Sequence, residues 1–594
     1  MDVRGEVWEY DRGPAKGGGW PEVFADTPNY RGLGHAVLGR EPFRWHFGPM
    51  FYRGRLDGSA RVMVVGQEGA QDESLSHRSF TGGTGSRMQH FLRHVGLDRS
   101  YLFLNTFVYP IFGQYPADLR TLAQDPESPI VAHRHRIFDK VQHEGDLRLV
   151  VAVGRAAKES VATWVDAHGG TADPNALHLA TGGSLPAGLR FLGVLHPGGA
   201  TAGGTTAIKA DFVRAVGQVR TWLTADPAWL PVDDGMTRDL AGPFTYSSAP
   251  VPHRDFPFGT TPRLGGGGTS SNRGDGQRAI QLFSAAGVYN AVGESLDYTY
   301  TATGSDTGYS ADPGDIAVEP SRGHPRDFDP GPPAAFARLL LGAEPGLAWP
   351  DFAALGVTAH SSLGIGPIYR GLFSGVRLVV LTDPAGPDDL FTGRALCGEA
   401  GQHFQNVLRA AGLPSRYLIL RTVPVDTSDL STAKRDALVD RAEVRALHRE
   451  ILQRLAAANR GLAAVLAMGR GARRLARHVA PAGLPVIELK ARTESGAATN
   501  WQAALDQLAG LGYPPEAPNP TFQLAATRSQ IPRRDLPFGT QRWVGTSGDR
   551  ASRPVDLTTD KPSPNYLKLY LPSWVMQLPP PPLSAAEQVA AAQL

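Results

Sequence analysis

The stretch Arg61-Val-Met-Val-Val-Gly66-Gln67-Glu68 contains four consecutive apolar residues that end at a glycine and two polar residues. A short apolar run of this kind is typical of a strand that is buried on both faces, as in a parallel sheet. The glycine predicts a tight turn that leaves Gln67 and Glu68 at the carboxyl end of the strand. Ligands of open α/β sheets bind beyond these strand ends, so Glu68 is the first candidate for chemistry.

The residues after this strand alternate between helical and strand patterns. Met88, Phe91, Leu92 and Val95 have the i, i+3, i+4, i+7 spacing of a helix with one buried face. Later apolar runs predict strands that end on the polar pair Asn105-Thr106, at Val153 and just before His196. This alternation predicts a three-layer α/β/α unit whose central parallel sheet is covered on both faces.

The plan of this unit returns later in the chain. Arg377-Leu-Val-Val-Leu381 lies 316 residues after Arg61-Val-Met-Val-Val65, and Tyr417-Leu-Ile-Leu-Arg421 lies at the same interval after Tyr101-Leu-Phe-Leu-Asn105. A common interval at several elements predicts a tandem duplication of the domain. The predicted divisions are 1–45 (an irregular N-terminal arm), 46–225 (first domain), 226–345 (linker and insertion), 346–515 (second domain) and 516–594 (C-terminal extension).

Composition excludes several classes of protein. A single cysteine, Cys397, among 594 residues excludes an intramolecular disulfide, a thiolate zinc site and a cysteine-held iron–sulfur cluster. The net charge of +2 is too balanced to indicate a polyanionic partner by itself. No apolar run is long enough to span a membrane and the amino terminus lacks the apolar core of a signal peptide, so the sequence predicts a cytoplasmic protein without a membrane partner. Nothing in the sequence indicates a homo-oligomer.

Four motifs in a fixed order resemble the uracil-DNA glycosylase superfamily. They are Val65-Gly-Gln-Glu-Gly-Ala-Gln-Asp72, then Phe80, then Leu104-Asn-Thr106, and then Leu195-His-Pro-Gly-Gly199. The resemblance covers residues 48–223 well and residues 366–511 in outline. It implies a monofunctional DNA glycosylase, a hydrolase that flips a base out of DNA and leaves an abasic site, with no metal or other cofactor.

The resemblance also implies roles for the residues at the strand ends. Glu68 and His196 are the predicted catalytic residues: Glu68 orients water and stabilises the cationic sugar, and His196 donates to the departing base. Asn105 would read the Watson–Crick edge and Phe80 would stack on the base, while Gln67 would line the pocket with its backbone groups. The alternatives are purely structural: the polar residues could stabilise turns or cap helices, and Phe80 could belong to the hydrophobic core.

Two glycine-rich loops are predicted to contact the DNA backbone. The first loop enters a helix and lacks the Lys-Ser/Thr ending of a nucleotide-binding loop. The second follows His196 and has no large apolar residue to wedge into DNA, so a flexible linker is the equal alternative. The predicted backbone contacts are Gly83, Ser86, Arg87, Gly198 and Gly199.

The second domain departs from the first at the functional positions. Arg421 stands where Asn105 stands in the first domain, and Thr382-Asp383-Pro384 replaces the Gly66-Gln-Glu turn. The second domain is therefore predicted to be a degenerate, non-catalytic copy.

The position of Ala70 bears on the choice of base. The uracil-specific branch of the superfamily has a bulky tyrosine there, which closes the pocket beside C5 of the pyrimidine. A small residue predicts a 5-substituted pyrimidine as substrate, such as glucosylated hydroxymethylcytosine removed from phage DNA in antiviral defence. Two alternatives stay open: ordinary uracil repair, since other branches combine a small residue with uracil, and a non-catalytic protein that binds modified DNA.

Overall fold

The computed structural model describes most of both α/β units and parts of the segments between and after them. The described residues are 9–45, 48–69, 73, 76–111, 115–198, 203–238, 240–260, 280–284, 287–289, 295–296, 326–357, 368–384, 389, 392–425, 427, 430–492, 494–516, 529, 531–540, 551–552, 555–556, 561–562, 567–570 and 579–594.

The first unit is a five-stranded sheet with helices on both faces. The strands of this sheet are β1 (Arg53–Gly54), β2 (Val62–Gly66), β3 (Tyr101–Asn105), β4 (Leu149–Val153) and β7 (Arg190–Val194). Two further strands of two residues each, β5 (Thr171–Ala172) and β6 (Ala180–Thr181), pair with each other outside the main sheet. The helices up to the end of this unit are α1 (Trp20–Ala25), α2 (Tyr30–Leu38), α3 (Gly83–His94), α4 (Arg120–Gln124), α5 (Pro129–Glu144), α6 (Arg155–Ala167) and α7 (Gly204–Ala225). The sheet order is β1-β3-β2-β4-β7, and all pairs are parallel except β1 with β3.

Alternate residues of the buried strands serve two separate hydrophobic cores. Met63 and Val65 of β2 pack in one core with the apolar faces of α5 and α6, whereas Val62 and Val64 pack in the other core with α3 and α7. This alternation follows from the pleat of a strand, whose successive side chains point to opposite faces. The predicted α/β fold with a mostly parallel, doubly covered sheet is confirmed.

The N-terminal arm differs from the irregular segment that the sequence predicted. It contains α1 and α2, which begin at a Gly-Trp-Pro turn and at Asn29 respectively, and the Asn29 side chain accepts the Gly32 amide at 2.9 Å as a helix cap. Both helices are short and contain proline or glycine, so the sequence shows too few turns for a helical spacing of apolar residues to be recognised. Trp20 and Phe24 of α1 are buried in the first core.

The second unit repeats the sheet order of the first. Its strands are β11 (Tyr369–Gly371), β12 (Leu378–Thr382), β13 (Tyr417–Arg421), β14 (Ala464–Met468) and β15 (Val486–Leu489), in the order β11-β13-β12-β14-β15. The helices of this part are α8 (Ala334–Leu340), α9 (Glu399–Ala410), α10 (Thr432–Val439), α11 (Ala442–Ala458), α12 (Arg470–Val479) and α13 (Ala497–Gly510). Two cores again lie on opposite faces of the sheet.

Strands from the connection and from the C-terminal part share a third sheet. The connection contributes β8 (Ile280–Ser284), β9 (Gly287–Tyr289) and β10 (Ser295–Leu296). Of the later strands, β16 (Ala551–Ser552) and β19 (Leu567–Tyr570) belong to this sheet, and β19 runs parallel to β8. The strands β17 (Val555–Asp556) and β18 (Lys561–Pro562) pair with each other in a separate two-stranded sheet.

The last described segment, 579–594, packs on the first unit. The Asn29 and Arg31 side chains donate to the carbonyls of Pro581 and Pro579, and α14 (Ala585–Ala591) follows. The proline run Pro579–Pro582 therefore lies along α2. Over the described parts of the chain, no helix combines the length and apolar character that crossing a bilayer requires.

Candidate active site

The turn after β2 brings two of the predicted base-contacting side chains together. Gly66 is paired with Asn105 across the sheet. A methyl group at Gly66 would lie 2.6 Å from Cε2 of Phe80 and 2.8 Å from Oδ1 of Asn105. Only a glycine therefore lets the phenyl ring and the amide both approach the end of this strand.

Glu68 lies two residues beyond this glycine and has an unusual acidity. Although the residue keeps some exposure to solvent, burial raises the pKa of its carboxyl to about 8. The hydrogen bond from Gln67 Nε2 to Glu68 Oε2, at 3.0 Å, and the charge of Arg44 oppose this rise in pKa, and the nearby Glu73 carboxylate adds to it. Near neutral pH this carboxyl can therefore exist in either protonation state.

Gln67 contributes both its side chain and its backbone at the turn. Its amide group pairs with Glu68, and its carbonyl accepts the Phe107 amide at 3.0 Å. The backbone of Gln67 thus joins the ends of β2 and β3, and the side chain orients the Glu68 carboxyl.

The protein orients the Asn105 side-chain amide through a hydrogen bond to its nitrogen. Its Nδ2 donates to Ser79 Oγ at 3.2 Å, and Ser79 Oγ donates to the Met50 carbonyl at 3.1 Å. Its Oδ1 is buried and has no hydrogen-bond partner among the described residues. A buried amide oxygen without a partner costs free energy, and an incoming donor such as a base amine or imide would remove that cost.

Phe80 occupies a backbone conformation that side-chain-bearing residues rarely adopt. Its φ is 57°, in the left-handed region, and its ring packs on Phe103 with the centroids 5.0 Å apart. The next two amides, Thr81 N and Gly82 N, donate to Glu73 Oε1 at 2.9 and 3.2 Å. These bonds hold the loop against its local strain, so the ring is fixed beside the strand end.

His196 follows β7, on the far side of β4 from Glu68. Its Nδ1 accepts the Gly198 amide at 3.2 Å, so a neutral imidazole carries its proton on Nε2. Gly154 at the end of β4 has a φ of 85°, and a methyl group there would lie 3.2 Å from the His196 Cβ. Asn105 thus ends β3, Glu68 follows β2 and His196 follows β7. These positions lie along one edge of the sheet and span three strand spacings, or about 14 Å.

The predicted DNA-backbone residues have different environments. Gly83 begins α3 and is partly exposed, whereas Ser86 is buried one turn later. Arg87 donates to the Pro197 carbonyl at 2.6 Å and so ties α3 to the loop that carries His196 and Gly198. Two of the predicted site residues, Ala70 and Gly199, lie outside the described residues.

Three residues near the site were missed by the sequence reasoning. Arg44 and Glu73 set the charge around Glu68, and Ser79 orients Asn105. Arg44 and Ser79 have no distinctive spacing in the sequence. Glu73 directly follows the quoted motif, but nothing in the pattern separates it from an ordinary loop acid.

The corresponding edge of the second unit is filled by its own side chains. Arg421, paired with Thr382 across the sheet, is buried and donates to the Val425 carbonyl at 3.0 Å. Asp383 accepts the amides of Gly471 and Ala472 at 2.9 and 2.7 Å at the start of α12. Its carboxylate therefore caps a helix.

The arginines on α12 have carboxylate partners. Arg470 pairs with Asp436, Arg474 with Asp440, and Arg477 with Glu488. These ion pairs offset the positive charge of this helix face.

Part of the first unit is similar to a known protein family. No curated protein is significantly similar to the chain. Residues 53–221, which carry all the strand ends described above for the first unit, match the family model of the uracil DNA glycosylase superfamily.

Proposed function

We propose that this protein is a monofunctional DNA glycosylase whose active site lies at the carboxyl edge of the first sheet. The observation that carries the proposal is the convergence at Gly66 of the Phe80 ring and the Asn105 amide, whose Oδ1 lacks a partner among the described residues, beside Glu68. The family match over residues 53–221 supports the same activity. A ring for stacking and an amide for hydrogen bonding are what an extruded base requires.

The proposed mechanism divides the charge of the reaction between Glu68 and His196. As the N-glycosidic bond breaks, positive charge develops on the sugar and negative charge on the base. An ionised Glu68 stabilises the sugar and orients the attacking water. The neutral His196 imidazole donates a hydrogen bond from Nε2 to the base oxygen where negative charge accumulates, and keeps its proton. The constellation has no lysine among its members, so Schiff-base lyase chemistry is not part of the proposal.

The proposed substrate is a pyrimidine with a substituent at C5, such as glucosylated hydroxymethylcytosine in phage DNA, and the biological role is antiviral defence. The sequence supports this through Ala70, a small residue where the uracil-specific branch of the superfamily has a bulky tyrosine. A Cβ atom at the neighbouring Gly69 would collide with the Met50 thioether, which would have to move to admit a side chain. Uracil in repair is the second candidate substrate, since Asn105 suits its Watson–Crick edge as well.

The second unit is proposed to be a degenerate copy that takes no part in catalysis. The equivalent of Asn105 in this unit is Arg421, a buried residue whose guanidinium donates to the Val425 carbonyl and can accept no hydrogen bond from a base. Asp383, the carboxylate of the turn that corresponds to Gly66-Gln-Glu68, is engaged as a helix cap and so is not placed for the Glu68 role.

Base release from defined DNA tests the proposal. Full-length protein is incubated with duplex and single-stranded DNA containing uracil, hydroxymethylcytosine or glucosylated hydroxymethylcytosine, and abasic sites are measured by alkaline cleavage. We expect release of the glucosylated base, loss of release in Glu68→Gln and Asn105→Ala, and normal release in the matched variant Asp383→Asn. Release of uracil alone would refute the modified-base substrate. Binding without any release would refute the enzyme in favour of a binding protein.

A further inference from the structure

Each unit is followed by a short segment that packs into the other unit. The Phe538 ring, from the segment after the second unit, lies in the first unit's core with its centroid 5.4 Å from those of Phe24 and Phe51. The Phe258 ring, from the segment after the first unit, lies in the second unit's core, 6.0 Å from Tyr369. The segment after each unit therefore packs in the core of the other unit, and we call the two the crossing segments.

Each crossing segment accepts a hydrogen bond from an arginine, and the two arginines occupy equivalent positions in the two units. Arg78 Nη1 donates to the Phe538 carbonyl at 2.7 Å, and Arg394 Nη1 donates to the Phe258 carbonyl at 2.7 Å. Each arginine also donates through Nε to an aspartate of the arm before its own unit, Asp11 at 2.5 Å or Asp329 at 2.6 Å. The chain thus contains two copies of one buried contact, which we call the latch: arginine, aspartate and the carbonyl of the crossing segment.

Only the latch of the first unit adjoins the candidate active site. Arg78 is buried two residues before Phe80, in a loop where His77 and Phe80 both have a positive φ, 55° and 57°. The Arg78 carbonyl accepts the Ser76 hydroxyl at 3.2 Å. The next residue, Ser79, is the one that orients Asn105. Fixing Arg78 at both its backbone and its guanidinium therefore fixes the loop that aims Phe80 and Asn105.

We propose that Arg78 is a positioning residue through which the segment after the second unit completes the active site of the first. The consequence for catalysis depends on the proposed function, whereas the consequence for the loop does not. Residues 531–540 are then a functional part of the catalytic unit, although they lie far outside residues 53–221.

The two latches provide a matched pair of variants for the test. Arg78→Ala and Arg394→Ala remove the same contacts in the two units of full-length protein. Asp11→Asn and Asp329→Asn are a milder pair, which keeps the shape of the latch and removes only its negative charge. The milder pair also keeps the test decisive if an alanine variant does not fold.

Hydrogen exchange of the loop is the first readout. Loss of a charge-assisted hydrogen bond favours the open loop by about tenfold or more. In Arg78→Ala and Asp11→Asn we therefore expect the Thr81 and Gly82 amides to exchange at least tenfold faster. In the Arg394 and Asp329 variants the acceleration should instead fall on 392–398. Unchanged exchange at Thr81 and Gly82 in both first-unit variants would overturn the inference.

Base release is the second readout, at protein concentrations where all variants are folded. We expect kcat/KM to fall tenfold or more in the Arg78 and Asp11 variants and to stay within about twofold in the Arg394 and Asp329 variants. An equal fall in both pairs would show that the latch only stabilises the fold, and would overturn the positioning role. If wild-type protein releases no base, the proposed function fails, and hydrogen exchange alone decides whether Arg78 positions the loop.

Discussion

The acidity of Glu68 makes a quantitative prediction about the pH dependence of base release. The proposed mechanism uses the ionised carboxylate, and its pKa is raised to about 8, chiefly by burial. A group of this pKa is ionised in about one molecule in eleven at pH 7 and in about ten in eleven at pH 9. Single-turnover base release should therefore rise by about tenfold between pH 7 and pH 9 and level off above that.

Two variants separate this titration from other effects of pH. Glu68→Gln has no carboxyl to ionise, so its residual rate, lower by about 10²- to 10⁴-fold, should lack the rise. Glu73→Gln keeps an oxygen that can accept the Thr81 and Gly82 amides but removes a charge that raises the Glu68 pKa, so the midpoint should move to lower pH. Both follow from single-turnover rates measured between pH 5.5 and 9.5 on one DNA substrate.

A wild-type rate that is flat or falls between pH 7 and pH 9 would refute the assignment of Glu68 as the ionised catalytic group. The same slope in Glu68→Gln as in wild type would also refute it, because the titrating group would then be a different one. An unmoved midpoint in Glu73→Gln would instead refute the electrostatic coupling between the two carboxyls.

Three further predictions concern stability and the shape of the site. The pKa of Glu68 is higher in the folded state than its ordinary value of 4.5, so the unfolding free energy of the wild type should fall as pH rises from about 4.5 to 8. Glu68→Gln removes this ionisation. In urea unfolding it should be more stable than wild type at pH 9, by on the order of a few kcal/mol, but not at pH 4. Gly66→Ala should fold but displace Phe80 or Asn105 and lower kcat/KM by about a hundredfold, and a rate within twofold of wild type would show that the ring and amide need not meet there. Asp383→Asn should cost about 1 kcal/mol of stability through its weakened helix cap and leave turnover within about twofold, whereas a large loss of turnover would assign the second unit a catalytic part.

The strand ends could be predicted from the sequence because they depend on local patterns. The apolar run before Gly66 predicts β2, and the strand pattern from Tyr101 to the polar pair Asn105-Thr106 predicts β3, whose end lies one residue earlier, at Asn105. Parallel strands end at the same edge, so the sequence could place Glu68 and Asn105 near one another without knowledge of side-chain contacts.

The layer of contacts around these residues could not be predicted in the same way. Arg44 acts on Glu68 through space, and no periodicity links the two positions. The matching stretches around Phe258 and Phe538 are visible in the sequence, yet nothing local indicates that each packs in the other unit. The partner of such a segment is selected by long-range packing, which a sequence pattern does not encode.

The crossing of Phe538 into the first unit also affects how the protein is made. The sheet of the first unit is complete once α7 has left the ribosome, but the ring that fills its aromatic cluster is still several hundred codons away. At translation rates of about 5–20 residues per second the delay is roughly 15–60 seconds. During that time the nascent chain lacks the ring that completes this cluster, so under the proposed function base release would begin only after the second half of the message has been read.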